Sequence, residues 1–383
     1  MHAQHLVHDE AAGWRSVPKD RDGTDLVLCF GAREALAGGA RYRELRALFP
    51  QAHILGCSTG GQIIGDEVRD DQVTAVALNF AATKIKLACE TIVGSADSRS
   101  CGEAIGRALF AEDLAGVFVL SDGLNVNGSE LVRGITSMIG DNVPLTGGLA
   151  GDGAQFSETL VGGDCAPAPH MIAAVGFYGT AIRIGHGSAG GWDVFGPRRT
   201  VTSSAGNVLY KLDDEPALDL YERYLGEEES KGLPGTALLF PLQIHERDRP
   251  EHGRVRTVLS IDRNARSMTF AGDVPQGCVA QLMRGNFDRL AAGAADAAKQ
   301  AHDGTAASAT GDAVAILVSC IGRRLLMGQR VTDEVEAAAA ALGPRFVNVG
   351  FYSYGEISPH AASGVCELHN QTMTVTAITE CIG

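Results

Sequence analysis

The sequence has no run of apolar residues near the ~18–20 that a membrane helix needs, so no segment reads as a span. It has no CxxC pair, and its nine cysteines (Cys29, Cys57, Cys89, Cys101, Cys165, Cys278, Cys320, Cys366, Cys381) are odd in number and irregular in spacing. That pattern excludes a disulfide framework and a thiolate zinc site, and points to a reducing, cytoplasmic setting. No GxxxxGK[ST] and no HExxH occurs, which excludes a P-loop nucleotide enzyme and the common zinc protease motif. Positive charge is also short. Thirty-two Lys and Arg face 46 Asp and Glu, a net charge of -14, so nothing supplies the phosphate-neutralising surface of a nucleic-acid binder. The opening residues carry His2, His5 and His8 with two acids, which suits neither a signal nor a transit peptide; residues 1–24 read as a tail.

What is present is a repeat. Leu26–Phe30 reads as a buried strand, a helix follows over Arg33–Phe49, then a strand His53–Leu55 runs into Gly56-Cys57-Ser58-Thr59-Gly60-Gly61, and Val73–Phe80 closes the unit. The same order returns at an offset of 91 residues, from Leu26 to Val117 and from Gly56 to Gly147. There Val117–Leu120 is the strand, Ser129–Ile139 the helix, and Gly147-Gly148-Leu149-Ala150-Gly151-Asp152 the glycine turn. A looser third edition spans Ala313–Thr379, with Tyr352, Tyr354, Gly355 and Glu356 in the turn position. Between the second and third units the pattern changes to short strands, a helix from Pro216, and an alanine-rich helical region over Gln276–Asp303 with Gly285 as a candidate break. The implied architecture is α/β to α+β: layered mixed sheets flanked by helices, in two packed domains that carry an internal strand–helix–strand–turn–strand repeat.

Candidate chemistry gathers at the turns. Glycines let the backbone approach a ligand or a neighbouring layer, so Gly56, Cys57, Ser58, Thr59, Gly60, Gly147, Gly148 and Asp152 are candidate ligand contacts. Cys57 on its tight turn, and Cys320 at a strand end, have the placement of nucleophiles, but a packed small hydrophobe is the favoured reading, since the second copy has Gly148 where Cys57 stands. The third turn, with the following Glu367-Leu368-His369-Asn370-Gln371-Thr372, concentrates aromatic and polar groups; Tyr352, Tyr354, Gly355, Glu356, His369 and Asn370 are the strongest candidates for holding a small molecule. His245 ends an apolar strand and could serve as a metal or haem axial ligand, with His369 its competitor. Gly185–Gly190 matches GxGxxG, but Gly191–Pro197 cannot open the helix that a pyrophosphate needs.

At these residues a family resemblance emerges. Ile54–Gly61 and Gly147–Asp152 resemble the FIST N-terminal domain, and Gly350–Ile357 with Glu367–Thr374 resembles the end of the FIST C-terminal domain. The resemblance covers roughly residues 25–381 and divides the chain into an N-terminal domain over 25–200 and a C-terminal domain over 201–383. It implies a cytoplasmic, non-catalytic sensory module that acts through a partner histidine kinase or a diguanylate cyclase or phosphodiesterase, without nucleic acid or membrane. It is similar in length and tail to the NosP-type branch, which implies haem and nitric oxide sensing; the resemblance assigns the haem ligand to no residue of this chain. An amino acid or similar metabolite is the alternative ligand, and a cysteine-dependent enzyme the reading from another class.

Overall fold

The computed structural model describes residues 1–19, 21–70, 72–305, 311–361 and 363–381, with the side chains of residues 251 and 252 left aside. Three units share one plan. In each, a buried first strand lies parallel to a second strand and antiparallel to a return strand. Unit 1 uses Leu26–Gly31, His53–Ser58 and Val73–Asn79; unit 2 uses Leu114–Ser121, Leu145–Leu149 and Met171–Tyr178; unit 3 uses Ala313–Cys320, Phe346–Ser353 and Met373–Glu380. The first strands are nearly continuous apolar runs (LVLCFG, LAGVFVLS, AVAILVSC) because both of their faces are covered. A further strand precedes each unit and pairs beside its return strand: His2–Asp9, Lys84–Thr91 and Ile182–Ala189. The stretch read as a tail therefore begins with a sheet strand, anchored along its length to Val73–Asn79.

The units exchange strands in a ring. After its second strand each chain segment leaves its own sheet and pairs with the next one. Gln62–Ile64 of unit 1 joins the sheet of unit 3, with Ile63 opposite Gly350. Gly355–Pro359 of unit 3 joins unit 2, with Glu356 opposite Gly148. Val161–Gly163 of unit 2 joins unit 1, with Gly162 opposite Gly56. The three six-stranded sheets thus close on one another around an interior filled by Phe30, Phe118, Val175, Val318, Phe351 and Ile378. Phe30 and Phe351 stack at 4.8 Å between centroids, joining units 1 and 3 directly.

Helices cover the outside. Gly128–Ile139 packs with Ser98–Leu109 on unit 2, and Thr332–Leu342 with Phe287–Asp303 on unit 3. Gly102 and Gly134 face each other where the unit 2 helices touch; a Cβ on Gly134 would stand 2.3 Å from the Arg99 carbonyl. The region expected as helix over Gln276–Asp303 is divided: Val279–Gly285 is a strand, and only Phe287–Asp303 is helical. The alanine content was the misleading signal, since it begins only after Asn286, whose side chain caps the helix.

Residues 192–285 form an inserted eight-stranded sheet with its own core around Leu209, Leu218, Tyr221, Met268 and Phe270. It enters between the strand Ile182–Ala189 and the helix Phe287–Asp303 of unit 3. The boundary drawn at residue 200 falls inside one long strand, Trp192–Ala205, and the third unit is built from both sides of it. The change of pattern coincides with the start of this inserted sheet.

One buried ion pair ties the third unit together. Arg323 and Glu334 are both fully buried and 2.7 Å apart. Glu334 also accepts from the Ser319 and Tyr352 hydroxyls, each at 2.9 Å, and Arg323 donates to the Leu290 carbonyl at 2.8 Å and to that of Gly190. First strand, second strand, both helices and the entry to the insertion meet here. Removing one member strands the other charge, so Glu334→Ala or Arg323→Ala should cost about 3–5 kcal/mol by urea unfolding. Arg323→Met with Glu334→Leu should cost less than either single change. Single variants within about 1 kcal/mol of wild type would show that the pair is not the fastener described.

Candidate functional site

Because each unit exports a strand, the turn that begins the export lies at the junction of neighbouring units. Ser58, Leu149 and Ser353 stand at matching register positions, opposite Gly31, Ser121 and Cys320. Two residues later come Gly60, Gly151 and Gly355. The turns bond to one another through their backbones. Gly60 N–H donates to the Tyr352 carbonyl at 2.7 Å, Tyr352 N–H to Gly61 at 2.9 Å, and Gly151 N–H to Ser58 at 3.0 Å. Glycine is needed at this approach: a Cβ on Gly60 would stand 2.5 Å from Ile321 Cδ1.

A cleft of about 330 Å³ opens over this junction, and all three units line it. Unit 1 supplies Ala32, Arg33 and Glu34 from its first strand end, Thr59 to Gln62 from its turn, and Asp70; unit 2 supplies Asp152 to Gln155; unit 3 supplies Ile321, Arg324 and Leu325. Arg324 reaches across units. Its guanidinium donates to the Gly60 carbonyl and to Asp70, and lies 5.4 Å from the Tyr352 ring centroid. Arg33 pairs with Glu34 at 2.8 Å and reaches Gln155 at 3.3 Å. Buried Gln62 fixes the floor: its amide oxygen accepts from the Thr59 hydroxyl at 2.8 Å and from Ala32 N–H at 3.0 Å.

Asp152 is held in a cage. Its carboxylate accepts from the Phe156, Ser157 and Glu158 N–H groups, each at 2.9 Å, and from the Tyr354 hydroxyl. Burial alone would raise its pKa, but the Tyr354 hydroxyl and these N–H donors outweigh burial and hold it below the usual carboxylate range. The Tyr354 ring stacks on Phe156 at 4.5 Å, so this loop is clamped from the third unit.

The cleft takes up part of the set expected from sequence. Thr59, Gly60 and Asp152 line it, and Ser58 lies just below, its Oγ accepting from Leu160 N–H at 2.8 Å. Gly56, Gly147 and Gly148 are buried in strands. A Cβ on Gly147 would stand 1.9 Å from the Val119 carbonyl, and one on Gly148 2.7 Å from Val318, so close packing of layers explains them. Cys57 and Cys320 are buried and burial pushes both thiols up, which is the environment of packed cysteine rather than of a nucleophile.

The third turn differs most from expectation. Tyr352, Tyr354, Gly355, Glu356, His369 and Asn370 are interior, not arranged around an opening. Tyr352 donates to Glu334 and Tyr354 to Asp152. Glu356, opposite His369 in register, accepts from Ser353 Oγ at 2.7 Å and Thr372 Oγ1 at 2.9 Å. The Asn370 amide has no hydrogen-bond partner among the described residues. Residues that sequence reasoning passed over are Arg33, Glu34, Gln62, Asp70, Gln155 and Arg324. Their signal was faint: Arg33 and Arg324 both follow a first strand, and only superposing the strand ends relates them.

Of the two candidate histidines, His369 does not fit a haem, and His245 stands away from the cleft. His369 is buried with Nε2 2.9 Å from the Ser358 carbonyl, so an iron at that nitrogen would have to displace a strand. His245 lies in the inserted sheet, opposite Val279, with Nδ1 2.7 Å from the Glu246 carbonyl. Neither imidazole lines the cleft, and among the described residues no three His, Cys, Asp or Glu side chains group to hold a metal ion.

Glu356 gives this interior a pH signature. Burial pushes its carboxyl up to about 8 from an ordinary 4.5, so the fold holds its proton more tightly than the unfolded chain does. That stabilisation is complete at acid pH and is lost as pH rises through about 8. His369, pushed by burial down to about 4 from 6.5, acts in the opposite direction below 6.5. Between pH 6.5 and 8, wild type should therefore lose stability that Glu356→Gln retains, at most about 2 kcal/mol by chemical denaturation. Parallel pH profiles for the two proteins would show that the carboxyl is ionised in its pocket.

Comparison with known proteins places this architecture. The FIST N domain profile matches residues 25–215 and the FIST C domain profile residues 217–359. No curated protein matches the chain. A solved structure of cyanuric acid hydrolase from A. caulinodans aligns over 94% of this chain and 91% of its own, at 9% identity and a TM-score of 0.38. No helix among the described residues is long and apolar enough to cross a membrane. The two profiles lie end to end across the three units and the insertion, and the chain belongs to the FIST family of signal-transduction proteins, whose domains sense small ligands.

Proposed function

We propose that this FIST protein is a non-catalytic sensor of a small zwitterionic metabolite, an amino acid being the class that suits the site, and that it binds in the cleft shared by the three units. The observation that carries this is the lining: two guanidiniums, Arg33 and Arg324, beside Glu34, Asp70 and Asp152 in about 330 Å³. That volume is at the lower end of small-molecule sites, roughly 300–1,000 Å³. Carboxylate recognition by arginine and ammonium recognition by Glu34 or Asp70 would orient the ligand at both ends. A ligand bridging Arg324 of unit 3 to Arg33 of unit 1 would bias how the units meet, and a partner chain such as a histidine kinase or a cyclic-di-GMP enzyme would read that change. Nitric oxide sensing through haem is the weaker reading, because His369 Nε2 is held by the Ser358 carbonyl and neither His369 nor His245 lines the cleft.

Calorimetric titration with the proteinogenic amino acids tests the reading. At least one should bind, and Arg33→Ala should weaken it about tenfold or more, near 1.4 kcal/mol. Arg33 forms a partly exposed ion pair with Glu34, so the same change should leave unfolding within about 1 kcal/mol of wild type. Absence of binding, or equal binding by Arg33→Ala and Arg324→Ala, would remove the assignment. A Soret band on haem addition that disappears in His245→Ala or His369→Ala would replace it with haem.

A further inference from the structure

A second cleft lies where the inserted sheet meets unit 2. Three arginines line it, Arg133 from the helix Gly128–Ile139 and Arg254 and Arg256 from the strand Arg249–Arg256, against two carboxylates, Asp273 and Glu367. Two of the arginines are paired: Arg254 forks onto Glu367, and Arg133 bonds Asp273 at 2.9 Å and Glu130 on the outer helix face. Arg256 is not. It is 4% exposed, and among the described residues its hydrogen bonds go to carbonyl oxygens only: Asp273 at 2.9 Å, Val255 at 3.1 Å and Leu368 at 3.3 Å. Carbonyl dipoles satisfy its N–H groups without neutralising its charge. A buried guanidinium bonded to no carboxylate is costly; Glu367 and Asp273 act on it only through space, and an anion bonded to it directly would offset more of that cost.

Ser129 lines the same cleft. Gly272 packs against its hydroxyl and the guanidinium, where a Cβ would stand 3.0 Å from Ser129 Oγ and 3.2 Å from Arg256 Nε. The N–H groups of Ser129 and Glu130 at the helix start are occupied by Asn127 Oδ1, at 3.1 and 3.2 Å, so an incoming anion would rely on the arginines and Ser129 Oγ. The cavity measures about 170 Å³, which accommodates a tetrahedral oxyanion but not a nucleotide.

We propose that this cleft is a second ligand site that takes a phosphate group on Arg256, Arg133 and Ser129, as the free ion or as the end of a small phosphomonoester. Planar guanidiniums approaching from two structural elements suit the several oxygens of phosphate better than a single carboxylate. Burial, reinforced by the neighbouring Arg254 and opposed by Glu367 and Asp273, lowers the pKa of Arg256 to about 10. The site joins the inserted sheet to unit 2, so occupancy would stabilise the placement of the insertion.

The test is calorimetry and ³¹P NMR of the full chain with inorganic phosphate and with glycerol phosphate, at constant ionic strength. Saturable binding of at least one is expected, together with a rise in melting temperature that chloride does not reproduce. Equal affinities identify the free ion as sufficient, and tighter binding of the ester identifies a phosphorylated metabolite. Arg256→Gln should abolish binding. Because that change could unfold the seam, Arg133→Ala is the second variant: its side chain is half exposed, and it should fold normally while binding about tenfold more weakly. No saturable binding in the millimolar range, or Arg133→Ala binding as wild type does, overturns the proposal; either outcome would leave the amino-acid site untouched.

Discussion

Everything in this protein follows from a sheet that is never completed by its own unit. Each of the three units ends its second strand in a turn and gives the next strand to a neighbour, and the backbone hydrogen bonds of Ile63 with Gly350, Glu356 with Gly148, and Gly162 with Gly56 close the ring. A strand edge left open would cost unsatisfied amide groups along its length. Exchange covers those edges in sequence-independent fashion, so the units can diverge in side chains while keeping their mutual placement. It also forces the three turns together, because a strand leaving one sheet for the next must cross the junction. The location of the cleft is a consequence of that topology.

The same constraint assigns jobs to residues that look chemically active in the sequence. In the third unit, two tyrosines, an arginine and two glutamates are spent on bonding the turn to its helices and to unit 2. Tyr352 anchors on Glu334, Tyr354 on Asp152, and Glu356 on Ser353 and Thr372. Fully buried polar groups of this kind are expensive unless satisfied, and once satisfied they specify one arrangement. Concentrated polar and aromatic chemistry was read as a binding loop; here it is the fastening of a closed ring.

The three-unit repeat, the order of strands and helices, and the glycine turns were legible because they rest on hydrophobic period and on glycine spacing, which are local. Leu26–Gly31 and Ala313–Cys320 announce themselves as strands buried on both faces. The exchange was not legible, since nothing in Gln62-Ile63-Ile64 says that its partner lies in unit 3. Pairing partners are non-local information. The site was half visible for the same reason: Thr59, Gly60 and Asp152 stand in recognisable turns, whereas Arg324 enters the cleft only because unit 3 is folded against unit 1. His2–Asp9 escaped notice because its alternation of polar and apolar residues is irregular, and its strand character comes from pairing with Val73–Asn79.

Comparison of the three turns explains why a single opening faces solvent at this junction. Three residues after the matched positions Ser58, Leu149 and Ser353 stand Gly61, Asp152 and Glu356. In unit 3 the carboxyl turns inward and is consumed by Ser353 and Thr372. In unit 2 the carboxylate is caged by three backbone N–H groups and Tyr354, which leaves it at the edge of the cleft. Unit 1 has no side chain at this position, and the vacated space is entered by Arg324, whose guanidinium would stand 1.7 Å from a Cβ on Gly61. Two of the three equivalent positions are thus filled by their own acids, while the third is filled from outside by the cation of Arg324. A long side chain can retract where a backbone cage cannot. Unit 1 is the junction where the charge comes from a neighbouring unit, Arg324 being held there by the Gly60 carbonyl and Asp70.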